Sequence, residues 1–357
     1  MLTSSSTQYG KFYKCPYSHY LYTYAEGGGL VNTEESEHTL FGSLMHEVIE
    51  GLLVGKELPS LLPALAQGCS EIPGLTLDKV PRSQELYWLG SGLAYCASTY
   101  LLPLLQAQYA VEAIEQELVV PLKVGGVTTP EEASLLWLTR PDALLRRRSD
   151  NATFNCNIKT TGYIKDLQKI YEFSVQMLME AQAIQLHKGI ETGGTVILAL
   201  NKGQKGRPSK EDRLQGKTEG YRQDSPLTYV WWKNEAPTFQ WSKGAVKKGV
   251  WEFNSTPEEW FLKLPVDLAK QQVDLSLPIT HTGSSSISDV IEDIVTVETL
   301  VKTGFCPKNL DACNSYSTFN KPCDYHKWCH GTPQERGENF IPRQANHPLE
   351  ETIGGDF

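Results

Sequence analysis

Apolar positions in the first third of the chain recur at helical spacing. In LFGSLMHEVIEGLL (40–53) they fall at i, i+3 and i+4, which predicts an amphipathic helix. PSLLPALAQGCSEIPG (59–74) reads as a short helix and a loop. SQELYWLGSGLAYCASTYLLPLLQAQYA (83–110) predicts one long helix that ends or bends near Pro103. Beyond it the period shortens. AIEQELVVPLKV (113–124), ASLLWLTRPDALLRR (133–147) and ATFNCNIKTT (152–161) are rich in apolar and β-branched residues with turns between, the pattern of strands. DLQKIYEFSVQMLMEAQAIQLHKG (166–189) predicts an amphipathic helix closed by Lys188 and Gly189, and TVILAL and LTYVWW predict two more strands. Near the C-terminus, STPEEW carries a capping box on Thr256 and Glu259, and SISDVIEDIVTVETLVKT predicts a further helix.

Between those last strands lies a polar insert with Lys202, Lys205, Arg207, Lys210, Arg213, Lys217 and Arg222. It reads either as a solvated loop or as an arm that meets a phosphate backbone, with Lys205, Arg207 and Lys210 as its contacts. The net charge of −9 excludes a protein that coats nucleic acid through a broad basic field, but leaves room for a local basic groove. An apolar share of 40 % is enough for a real core, and no apolar run reaches the roughly 20 residues of a membrane span. The N-terminus lacks the apolar stretch of a signal peptide, so a cytoplasmic setting without membrane contact is expected.

Candidate chemistry centres on Asp142 and on Asn157-Ile158-Lys159. Fifteen positions separate Asp142 from Asn157, room for a hairpin with RRRSDNA at its tip. Phosphodiester hydrolysis needs a divalent cation, and hard cations want oxygen ligands, so acidic residues brought together by paired strands make a site. Lys159, two residues beyond Asn157, shares its strand face and is placed to stabilise developing charge. Pro141-Asp142 followed by Asn157-x-Lys159 resembles the PD-(D/E)xK superfamily and, more narrowly, its RecB-type branch. Gly42-x-x-x-His46 matches that branch's metal-ligating histidine, and Glu117 its first-strand glutamate. Thr139-Arg140-Pro141-Asp142 matches G-R-x-D, and Gln176 matches the glutamine of Q-x-x-x-Y, with Glu180 at the tyrosine's place. Each piece alone has an ordinary reading as a core or surface residue; their order along the chain carries the resemblance.

That resemblance implies an α/β fold, a restriction-endonuclease-like core with a mixed central sheet. It also implies a Mg2+ or Mn2+ site from His46, Asp142, Asn157 and the Ile158 carbonyl, with Asp142, Asn157, Lys159 and Gln176 catalytic and Arg140 on DNA. Asn157 stands where the superfamily has a carboxylate, either as an engineered weakening, which the otherwise intact site favours, or as natural degeneration. An amide oxygen is a poorer ligand for a hard cation, so restoring the acid is expected to raise metal affinity. The expected layout is a helical part at 1–110, the nuclease core at 111–250 with its basic insert at 201–225, a cysteine-rich segment at 251–335 and a tail at 336–357, all one integrated domain.

Eight cysteines are present, four of them within FCPKNLDACNSYSTFNKPCDYHKWC (305–329). RecB-type nuclease chains often open with a segment like Cys15-Pro16-Tyr17, and their N-terminal cysteine joins three C-terminal ones on an iron–sulfur cluster. The resemblance therefore implies a cluster, 4Fe-4S, on Cys15, Cys313, Cys323 and Cys329. The spacing C-x9-C-x5-C leaves the choice among Cys306, Cys313 and Cys323 open. A zinc knuckle using His326 or His330 is the alternative. Cys69, Cys96 and Cys156 lie in apolar patterns and read as core thiols. The resulting expectation is a DNA exonuclease or end-processing nuclease in recombination, repair or spacer acquisition. With no P-loop in the sequence, unwinding falls to a helicase or recombination partner. The alternative is a nuclease fold that binds DNA or a protein partner without cutting.

Overall fold

Short strands and helices open the chain: β1 (Leu2–Ser4), α1 (Ser6–Lys14), α2 (Pro16–Thr23) and β2 (Leu30–Asn32). Pro16 sits in the first turn of α2, where a missing N–H costs nothing. The computed structural model describes residues 2–25, 29–32, 37–74, 81–162, 164, 167–172, 174–206, 210–214, 222–224, 238–241, 249–252, 266–280, 287–314 and 323–344. The helical region follows as α3 (Glu37–Leu53), α4 (Leu58–Ser70) and α5 (Arg82–Cys96). These helices approach closely: a Cβ on Gly51 would lie 2.6 Å from Leu61, and one on Gly90 3.1 Å from Leu65. The long helix expected to end or bend at Pro103 instead passes through a π turn, Ala97–Leu101, into α6 (Leu102–Gln108). Pro103, which has no N–H to donate, follows that π turn after Leu102.

Next come β3 (Tyr109–Ile114), β4 (Leu118–Lys123), β5 (Gly126–Val127), β6 (Leu135–Thr139), β7 (Ala143–Arg147) and β8 (Thr153–Thr161). The strand-like stretches 113–124 and 133–147 each divide between two sheets. β4 pairs with β6 in one sheet, and β3 with β7 in the other. The chain changes sheet at Glu115 and again before Ala143, and the Glu115 N–H donates to the Asp142 carbonyl at 3.1 Å. Asp142 therefore stands where two sheets meet.

The helix expected over 166–189 is two, α7 (Leu167–Tyr171) and α8 (Val175–Lys188), because Ser174 adopts an extended backbone. Gly189 closes α8 in the left-handed conformation, its N–H donating to the Gln185 carbonyl. β9 (Thr195–Asn201) completes the crossover back onto β8. Further on are β10 (Gln204–Gly206), α9 (Lys210–Leu214), β11 (Arg222–Asp224), β12 (Thr238–Trp241), β13 (Gly249–Glu252), α10 (Val266–Lys270) and β14 (Val273–Leu275). The chain then forms α11 (Ile287–Lys302), α12 (Leu310–Asn314), α13 (His326–His330), α14 (Pro333–Asn339) and β15 (Phe340–Pro342). The expected strand at 227–232 and the capping box on Thr256 lie outside the described residues.

The main sheet has strand order β14-β9-β8-β7-β3, with β8 and β9 parallel and the other pairs antiparallel. This is the mixed α/β sheet that the resemblance implied. Phe154, Cys156 and Ile158 of β8 pack with α3, α5 and α6 on one face. Leu144 of β7 packs with α8, α11 and the second sheet on the other. A smaller core joins the ends of the chain: Leu21, Tyr22 and Leu30 meet Cys323, Tyr325 and Phe340, and β2 pairs with β15. Buried Glu298 of α11 reinforces it, accepting hydrogen bonds from Ser4, from His19 at 2.9 Å and from Tyr24 at 2.9 Å. Among the described residues no helix is long and apolar enough to cross a membrane.

Candidate metal centre and cysteine cluster

Gly42 brings α3 close to β8, since a Cβ there would lie 3.4 Å from the Thr160 hydroxyl. One turn on, His46 Nδ1 lies 3.8 Å from Asp142 Oδ1. The second oxygen of Asp142, the residue before β7, accepts the N–H of Ile158 within β8 at 2.6 Å, just beyond the last β7–β8 pair. Glu50, one further turn along α3, faces the same spot. Ligand atoms of His46, Glu50 and Asp142 all lie within 4.8 Å of one another, the one such group among the described residues. One nitrogen and two carboxylates, all half-buried, form a donor set that fits a divalent cation.

Burial lowers the pKa of His46, opposed by the charge of Asp142 and by a hydrogen bond with the Ile158 backbone. The imidazole is thus held neutral, the form that ligates metal. Glu50 is pushed up to about 7, first by burial and then by repulsion from Glu115 and Asp142. Burial leads both shifts; the neighbouring carboxylates add to that of Glu50 and oppose that of His46. Glu115 holds an ion pair with Arg140 at 3.5 Å, and its own backbone is left-handed (φ 45°). That strain is held by its N–H bond to Asp142.

Asn157 faces the other way. Its side chain is fully buried, donating to Glu180 Oε2 at 2.8 Å and accepting from Gln176 at 3.3 Å. Gln176 also donates to Glu180 Oε1 at 2.9 Å, and Asn155 donates to Oε2 at 2.6 Å. Burial pushes the Glu180 carboxyl up, and these three amides and the charge of Lys159 oppose it. Lys159 is half-buried, 6.0 Å from the Tyr171 ring centre, and its charge also lowers the pKa of His46. Lys159 therefore acts on both groups of residues.

Of the expected metal ligands, the structure brings together His46, Asp142 and the backbone of Ile158, and groups Asn157 with Gln176 and Glu180 instead. Glu117 is exposed in the turn after β3, and Glu115 is the glutamate that borders the site. Glu50 was missed, although its i+4 spacing from His46 puts both on one helix face. Arg140 is exposed and paired with Glu115, and Lys210 is exposed on α9. Lys205 lies on β10, and Arg207 lies outside the described residues.

Cys15, Cys313, Cys323 and Cys329 line one small enclosed space, together with Lys308 and His326; Cys306 is not among its walls. All four are free thiols. Asn309 N–H donates to Cys15 Sγ at 3.4 Å and Tyr325 N–H to Cys323 Sγ at 3.5 Å. Backbone donors of this kind stabilise thiolates bound to a cluster. Burial pushes the Cys323 thiol up to about 12 and raises that of Cys329. Cysteines from both ends of the chain thus line one space, although no three of these sulfurs lie within 4.8 Å of one another. Cys69, Cys96 and Cys156 are fully buried core residues, as expected.

A family model described as the PD-(D/E)XK nuclease superfamily matches residues 3–330, nearly the whole chain. No curated protein matches it.

Proposed function

Because the chain belongs to the PD-(D/E)XK nuclease superfamily, we propose that it is a metal-dependent deoxyribonuclease that trims or processes DNA ends of single-stranded character. The observation that carries this reading is the group His46, Glu50 and Asp142 at the junction of two sheets, with the charge of Lys159 bearing on it. Those three side chains, with the Ile158 carbonyl, would hold one Mg2+ or Mn2+. Bound there, the cation supplies an activated water and neutralises charge on the phosphate. Asp142 is oriented for this by the Ile158 N–H, and His46 by the Ile158 backbone. Lys159 stands beside the attacked phosphate and balances its charge. Arg140 and the basic insert with Lys205, Arg207 and Lys210 hold the DNA backbone.

Cys15, Cys313, Cys323 and Cys329 would hold an iron–sulfur cluster as a clasp between the ends of the chain, in the manner of RecB-type nucleases. The setting is cytoplasmic recombination, repair or spacer acquisition, with a helicase supplying unwinding. A second reading, a nuclease fold that grips DNA without cutting, is favoured by the neutral amide at 157.

The test is cleavage of end-labelled single- and double-stranded DNA with Mg2+ or Mn2+. We expect metal-dependent cutting that Asp142→Ala and Lys159→Ala abolish. DNA binding without cleavage in either metal would replace the enzyme reading with the binding one.

A further inference from the structure

Asn157 and Glu180 are two of the positions at which the chain leaves the pattern it resembles, an amide for the strand acid and a carboxylate for the helix tyrosine. In the fold they touch. We propose that they are an exchanged pair: the carboxylate expected on β8 stands on α8 instead, and Glu180 is a positioning residue that fixes Asn157 and Gln176.

Three observations carry this. Glu180 is wholly buried, and a buried carboxylate is tolerated only when its oxygens are filled. Here they are filled by the amide N–H groups of Asn155, Asn157 and Gln176. An aspartate at 157 has no N–H, so it would set a second carboxylate where a donor is required. Asparagine is therefore the residue that Glu180 demands. The Asn157 amide is also fixed in orientation, because its oxygen takes the Gln176 N–H and its nitrogen faces Glu180. Finally, the charge is conserved. One carboxylate still bears on Lys159 through its charge, from the helix and no longer from the strand. The metal is left to His46, Glu50 and Asp142, where Glu50 supplies the second carboxylate. On this account Asn157 belongs to the native design of the site and is no weakening of it.

The catalytic part of this inference rests on the nuclease reading; the pairing does not. The experiment is a cycle of Asn157→Asp, Glu180→Gln and the double exchange, read by melting temperature, Mn2+ calorimetry and DNA cleavage. Asn157→Asp alone should lower the melting temperature by about 5 °C or more, as an unpaired buried charge does, without tightening Mn2+ binding. Glu180→Gln should leave Mn2+ affinity unchanged yet slow kcat by about 10-fold or more, as misplacement of a reacting group does. The double exchange should regain most of the lost stability and cleavage. Additive losses in the double variant, or tighter Mn2+ binding in a fully stable Asn157→Asp, would overturn the pair. If Asn157→Asp yields no folded protein, the double exchange decides alone, by folding or failing to fold. If the parent itself cuts no DNA, the nuclease reading falls while melting and calorimetry still judge the pair.

Discussion

Glu50 stands one turn beyond His46 on α3, where burial and the charges of Glu115 and Asp142 raise its carboxyl to about 7. In the unfolded chain the same carboxyl gives up its proton near 4.5. Between those values the folded, metal-free protein binds the extra proton, so this contribution to stability is complete below about pH 4.5 and is lost as pH rises through about 7. A bound cation removes the penalty by favouring the ionised form. The melting temperature of metal-free protein should therefore fall from about pH 5 to 8. Saturating Mn2+ should remove that fall, and Glu50→Gln should flatten it. A decline that survives Glu50→Gln unchanged would assign it to another group. At the same scale, Lys159 links the two carboxylate groups, since its charge bears on both His46 and Glu180.

At the scale of elements, the long periodic segments were legible in the sequence: α3, α11, β8 and β9 stand where their patterns put them, and α8 fills the second part of its own. What escaped was the division of apparently continuous strands. ELVVPLKV and SLLWLT carry the same apolar signal as the strands beside them, and period-2 alternation does not report which sheet a strand joins. The sheet change at Glu115 and Asp142 is a tertiary event, and it is what exposes Asp142 to His46. The candidate site was half legible. Order along the chain pointed to His46, Asp142 and Lys159, because each sits on or directly beside an element with a clear pattern. Glu50 escaped because the motif puts its second acid at 157, although helical spacing alone pairs Glu50 with His46. The direction of the Asn157 side chain depends on Glu180, 23 positions away on α8, and no local pattern encodes that pairing.

For the whole molecule, the ends of the chain meet in a core of their own, with β2 against β15 and the four cysteines on one space. A tetrathiolate group there would tie residues about 300 positions apart, which removes much of the freedom of the unfolded chain. Protein purified without oxygen should be brown, with about four irons per chain if the cluster is cubic. Cys→Ala at 15, 313, 323 or 329 should bleach it and reduce soluble yield, whereas Cys306→Ala should do neither. Stoichiometric zinc without iron would replace the cluster with a zinc knuckle. The central claim concerns the other site, and calorimetric titration of Mn2+ into the purified protein tests it most directly. One site per chain is predicted, weakened at least about 10-fold by Asp142→Ala, by His46→Ala and by Glu50→Gln, and unaffected by Cys69→Ala. Full Mn2+ affinity in Asp142→Ala, or no Mn2+ binding by the parent protein, would contradict it.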